Sequence, residues 1–125
     1  GCIYPAHLPV RDGAMTTALM LECLAVRGMS FSRLMSHSVP KFYQLKTKVE
    51  VSSEKVREIM RAVEKQSDGK MEKVDGIKAW LDERTWVLVR PSGTEPIVRI
   101  FAEAETQERV ESVLKKYVKM VKRAS

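Results

Sequence analysis

The sequence predicts an α+β fold: a small antiparallel sheet with two helices on one face, preceded by a helical segment that reads as the tail of another domain. Three observations point there. Runs that read as strands recur through residues 46–104, separated by turn residues. Two stretches of the same region carry apolar residues at helical spacing. The first 36 residues are helical and contain no strand-rich partner to cover them.

Each element has its own warrant. Asp12 can cap a helix running to about Arg27, with Gly28 as its stop. Ala14, Met15, Ala18, Leu19, Leu21, Leu24 and Val26 make that helix apolar almost all round, a pattern that asks for burial on several sides. Ser30 can cap a short second helix through Met35. Residues 37–45, HSVPKFYQL, read as a linker, since Pro40 disfavours helix at Val39. Residues 46–125 read as a complete domain. Leu45, Thr47, Val49 and Val51 share one face of a strand, with Lys46, Lys48 and Glu50 opposite. Ser52 or Ser53 caps a helix to about Lys65, its apolar stripe being Val56, Ile59, Met60 and Val63. Asp75-Gly76 predicts a hairpin between Met71–Val74 and Ile77–Leu81. Thr85–Arg90 and Ile97–Ala104 are strands. A final helix from about Thr106 carries Val110, Val113, Leu114, Tyr117, Val118 and Val121 on one stripe. The order is β-α-β-β-β-β-α, with both helices covering a single face.

Composition narrows the class. The chain has 125 residues, 44% hydrophobic and 30% charged, enough for a core in one ordinary domain. No apolar run approaches the roughly 20 residues of a membrane span, and GCIYPAHLPVRDG lacks the pattern of a signal peptide. Cys2 and Cys23 form no metal-ligand pattern and suit a reducing cytosol. The net charge is +6, and residues 106–125 hold six basic and two acidic residues. Much of the excess is therefore a lysine-rich helix end, where cations complement the dipole.

The stretch VLVRPSGTEPIVRIF, residues 87–101, is chemically the densest. Gly93 permits a backbone with positive φ and has no side chain to block a ligand. Successive amides in such turns can converge on an anion. Ser92 and Thr94 add hydroxyl donors, and Pro91 and Pro96 stiffen both ends. Arg90 and Arg99 offer planar, permanently charged forks that match phosphate oxygens. Two readings stand on chemistry alone: a phosphate cradle, or a polar hairpin turn whose arginines pair with Glu95 or Glu103. In either case Glu95 must point away from a bound anion, towards an arginine or the loop's own backbone.

RPSGTEP, followed by Arg99 in IVRIFAEA, resembles the phosphate-binding loop of the α-D-phosphohexomutases, the family of phosphoglucomutase, phosphomannomutase and phosphoglucosamine mutase. YPAHLPVRDGAMTTALMLECLA resembles the end of that family's third domain, so residues 1–36 would be the helical remnant of an α/β domain. Residues 46–125 resemble the whole fourth domain, a small unit of the TATA-binding-protein-like kind. The resemblance implies a four-domain enzyme that interconverts hexose 1- and 6-phosphates. A phosphoserine on the first domain, beside a Mg²⁺ ion, phosphorylates the sugar, and the bisphosphate turns over and returns the other phosphate. By resemblance, Arg90, Ser92, Gly93 and Thr94 grip the phosphate that is not being transferred, with Arg99 beside them.

The rest of that machinery is not in this sequence. The family's Mg²⁺ loop, Asp-Gly-Asp with a following Asp-Arg, has no match: Asp12-Gly13, Asp68-Gly69 and Asp75-Gly76 lack the further aspartates. Ser36-His37 resembles the nucleophile pair only superficially and lies where the family has no catalytic role. The sugar-reading Gly-Glu motif would lie just before Gly1. The expectation is a C-terminal piece with no catalytic residue, inactive alone, with magnesium bound outside it. Its expected partners are a hexose phosphate and the remaining mutase domains, with no nucleic acid and no membrane, in the cytoplasm. A rival from another class is a basic nucleic-acid-binding module. Against it stand the low aromatic content, 6%, and a positive charge expected on a helix rather than a sheet.

Overall fold

The computed structural model describes residues 2–125, so the reading of Gly1 lies outside it. The chain divides into two compact units, Gly1–Pro40 and Lys41–Ser125.

The first unit holds a hairpin that the sequence did not announce, β1 (Ile3–Tyr4) against β2 (Leu8–Arg11). Strands of two and four residues, interrupted by Pro5 and Pro9, are too short to register as alternation. Helix α1 (Gly13–Arg27) begins where expected, with the Met15 amide donating to Asp12 Oδ1 at 2.9 Å. It ends at Gly28, whose φ of 59° is left-handed. The carboxylate of Asp12 also meets His7, with Nε2 and Oδ2 3.4 Å apart. Helix α2 (Phe31–Ser38) outlasts its expected end at Met35. Pro40 constrains only Val39, which is extended, so Ser36, His37 and Ser38 stay helical. Despite its composition, α1 buries no residue, and Val26 is 82% exposed. A short hairpin and one two-turn helix offer too little surface to cover it.

The second unit is one five-stranded antiparallel sheet in the order β3-β7-β6-β5-β4. Strand β3 (Tyr43–Glu50) starts earlier than its alternation indicated, because Tyr43 and Gln44 pair with Ala104 and Glu103 of β7 (Ile97–Ala104). The predicted linker 37–45 thus shrinks to residues 39–42. A single 3-10 turn, Ser53–Lys55, leads into α3 (Val56–Gln66), and neither Ser52 nor Lys55 makes a side-chain capping bond. Strands β4 (Lys70–Glu72) and β5 (Ile77–Asp82) form the expected hairpin with a longer connection, residues 73–76. A two-residue type I′ turn needs positive φ at both central residues, and Gly76 does not adopt it. Val74 therefore lies in the loop, 95% exposed. Strand β6 (Thr85–Pro91) and helix α4 (Gln107–Ala124) complete the unit. Thr106 Oγ1 caps α4 by accepting from the Arg109 amide.

The core lies between the sheet and the two helices. Ile59 and Val63 of α3, Val110, Val113, Tyr117 and Val121 of α4, and Val87, Val89, Val98 and Ile100 of the sheet are buried there. Strand alternation sends the intervening residues to the face opposite α3 and α4. That face holds the chemistry.

Candidate phosphate-binding site

Register places the open-face residues in rows across the sheet. One row is Lys70, Trp80, Trp86, Glu103 and Gln44. The next is Glu72, Lys78, Leu88, Phe101 and Lys46. The third, at the end where β6 turns into β7, is Arg90, Arg99 and Lys48. Beyond it lies the loop connecting β6 to β7.

Backbone and hydroxyl contacts shape that loop. The Ser92 amide donates to Ile97 O at 3.0 Å, and the Ile97 amide to Glu95 O at 2.8 Å. Pro96 O accepts from the Val51 amide at 2.9 Å, tying the loop to the segment after β3. Ser92 Oγ accepts from the Thr94 and Glu95 amides at 3.5 and 3.3 Å. The serine hydroxyl thus sits where converging amides could receive an anion. Gly93 departs from its first sequence rationale: its φ is not left-handed. A Cβ there would meet nothing within 4 Å, and the residue is exposed.

The two arginines face the same side, as direct cross-strand partners. Like charges placed opposite each other repel, and each guanidinium has a counter-ion. Arg99 Nη2 donates to Glu95 Oε2 at 3.0 Å, so Glu95 holds an arginine. Arg90 Nη1 lies 3.2 Å from Asp75 Oδ2. Glu103, the other carboxylate suspected of holding an arginine, instead accepts from Trp86 Nε1 at 2.9 Å and from Gln44. The site residues Arg90, Ser92, Gly93, Thr94 and Arg99 therefore gather at one sheet end, exposed apart from the half-buried Ser92.

Sequence reasoning missed Asp75. The signal was present, because two successive hairpins bring the 73–76 connection to the end where β6 finishes. Gly76 makes the approach close: a Cβ there would lie 2.5 Å from Val89 O and 3.1 Å from Arg90 Cα. The charge distribution also differs from expectation. Lys46, Lys48, Lys78, Arg90 and Arg99 put a second basic set on the sheet, in addition to that on α4, because alternation gathers charges spaced along strands onto one face. The aromatics beside them are engaged. Lys78 Nζ lies 4.1 Å from the Trp80 ring centre and 4.7 Å from that of Trp86. Trp80 Nε1 donates to Glu72 at 3.0 Å. Among the described residues, no group of three or more His, Cys, Asp or Glu side chains is placed to hold a metal ion. No described helix is long and apolar enough to cross a membrane.

Residues 45–120 match the family model described as the C-terminal domain of phosphoglucomutase/phosphomannomutase. A phosphoglucomutase/phosphomannomutase of Thermococcus kodakarensis is 40% identical over 126 residues, covering 99% of this chain and 27% of the relative. A phosphoglucosamine/phosphogalactosamine mutase of Sulfurisphaera tokodaii is 40% identical over 125 residues, again covering 27% of that protein. The chain thus spans about a quarter of the length of these relatives. In fold it is similar to a phosphoglucomutase/phosphomannomutase family protein of Burkholderia thailandensis. The TM-score is 0.66 at 19% identity, covering 94% of this chain and 25% of that one.

Proposed function

The chain belongs to the phosphoglucomutase/phosphomannomutase family, and on that premise we propose that it supplies the phosphate-gripping wall of a sugar-phosphate mutase. The intact protein interconverts hexose 1- and 6-phosphates through a phosphoserine and a bisphosphorylated sugar. Arg90, Ser92, Gly93, Thr94 and Arg99 hold the phosphate that stays in place. One observation carries this reading: two guanidinium groups, opposed across β6 and β7, flank an exposed hydroxyl-bearing loop. Such a loop recognises phosphate and not sugar, which suits a substrate that must bind in two orientations.

The nucleophilic serine and the magnesium ion belong to parts of the protein outside this chain, so the chain alone turns nothing over. The ion, when bound, would offset charge on the transferring phosphoryl group. The uncovered apolar surface of α1 fits packing against further mutase domains, as the tail of the third. Phosphoglucosamine is an equal candidate substrate, because the Sulfurisphaera relative is as similar as the Thermococcus one. A cytoplasmic location suits a sugar-phosphate substrate and two free thiols. A nucleic-acid platform is disfavoured by the lysine already seated over both indoles.

The test is an NMR titration of the chain with glucose 1-phosphate, inorganic phosphate and a short oligonucleotide. The Gly93 and Thr94 amides should move with both phosphates at millimolar concentration. Phosphates that leave them still, with an oligonucleotide that shifts Lys115–Lys119, would overturn the reading.

A further inference from the structure

We propose that Lys48 is a third phosphate-binding cation of this site, an inference that rests on the loop's reading as a phosphate cradle. Lys48 lies outside the loop, more than forty residues upstream in the sequence. The pairing of β3 with β7 places it opposite Arg99, as the pairing of β6 with β7 places Arg90 on the other side. Strands about 4.8 Å apart put the three cations in a row roughly 10 Å long, with Arg99 central.

Three like charges side by side on a sheet disfavour the fold. Asp75 offsets Arg90 and Glu95 offsets Arg99, at 3.2 and 3.0 Å. Lys48 has no such offset: among the described residues it makes no ion pair within 4.0 Å. The one carboxylate farther along its own strand face, Glu50, is in register with Ile97 in the next row. Lys48 also borders a shallow depression shared with Lys46, Arg99 and Phe101. A phosphate dianion held by the loop and Arg99 would leave a negative oxygen towards β3. Lys48, exposed and uncommitted, has three rotatable donors for it.

The probe is inorganic phosphate at low ionic strength, read from the Gly93 and Thr94 amides of the chain, with variants Lys48→Gln, Lys48→Arg and Lys46→Gln. Lys48 is exposed, so backbone spectra should show the same fold in all three. Lys48→Gln should weaken binding about three- to fivefold, the scale of one solvent-exposed ion pair. Lys48→Arg should restore most of it. Lys46→Gln, which removes the same charge one row away, should change affinity by less than about half as much. Equal losses from Lys46→Gln and Lys48→Gln would reduce Lys48 to net charge and overturn the inference. So would unchanged binding in Lys48→Gln. If the unsubstituted chain shows no shift at Gly93 and Thr94, the cradle itself fails, which is a separate outcome.

Discussion

Replacing Gly76 with Ala should damage both the sheet and the site. Gly76 does not use its freedom for positive φ; it is there because nothing larger fits. A methyl carbon in its place would stand 2.5 Å from Val89 O and 3.1 Å from both Cα and Cβ of Arg90. Relaxed carbon–oxygen contacts begin near about 3.3 Å, so turn and strand must part by roughly 0.8 Å. Neither side yields readily. Val89 O is backbone, and the neighbouring pair Ile77 and Val89 is buried in register. Overpacking of this kind costs about 1–3 kcal/mol. At about 4–8 °C per kcal/mol for a small domain, the melting temperature should fall by about 4–24 °C. Thermal unfolding by circular dichroism measures this, and Asp75 should also leave Arg90, shifting the Arg90 guanidinium resonance. A melting temperature within about 1 °C of the parent would show that the turn moves freely, and the reasoning would fail.

Other substitutions separate folding from function. Gly93→Ala should leave stability within about 0.5 kcal/mol, because its Cβ meets nothing within 4 Å and its φ is ordinary; weakened phosphate binding in that variant would report close approach of the ligand, and a large drop in melting temperature would contradict the geometry. The Asp82 carboxyl is held below its ordinary value of 3.8, chiefly by the Arg84 amide donating to it, with Thr85 and Arg109 adding to the effect and burial opposing it. Folding thus favours its charged form, so its contribution is whole above the unfolded value and disappears as pH falls through the lower folded value. The side chain is 48% exposed, so Asp82→Asn should cost under about 1 kcal/mol at pH 7, with the gap in urea unfolding closing in acid; a gap that widens in acid would refute the sign. Tyr117 is fully buried, and among the described residues its hydroxyl has no hydrogen-bond partner. Tyr117→Phe should therefore be neutral or stabilising by about 1 kcal/mol, and a loss of similar size in chemical denaturation would reveal a missing partner.

Local pattern made most elements legible. The apolar stripes of α3 and α4, the Asp12 cap, the start of α4 near Thr106, the stop at Gly28 and the strands flanking the loop follow from interactions within a few residues. The loop's chemistry was legible for the same reason, since Arg90, Ser92, Thr94 and Arg99 lie within ten positions. Tertiary structure decided what depends on partners distant in the chain. Alternation says which residues of a strand share a face, but not which strand lies beside it or in which register. Only the pairing of β3 with β7 brings Lys48 to Arg99, and only the close approach at Gly76 brings Asp75 to Arg90. By itself, the sequence determined a sheet-and-helix domain bearing a loop whose donors match an anion. The fold decided which distant charges lie beside and balance it, because electrostatic neighbours are set by distance in space and not by order along the chain.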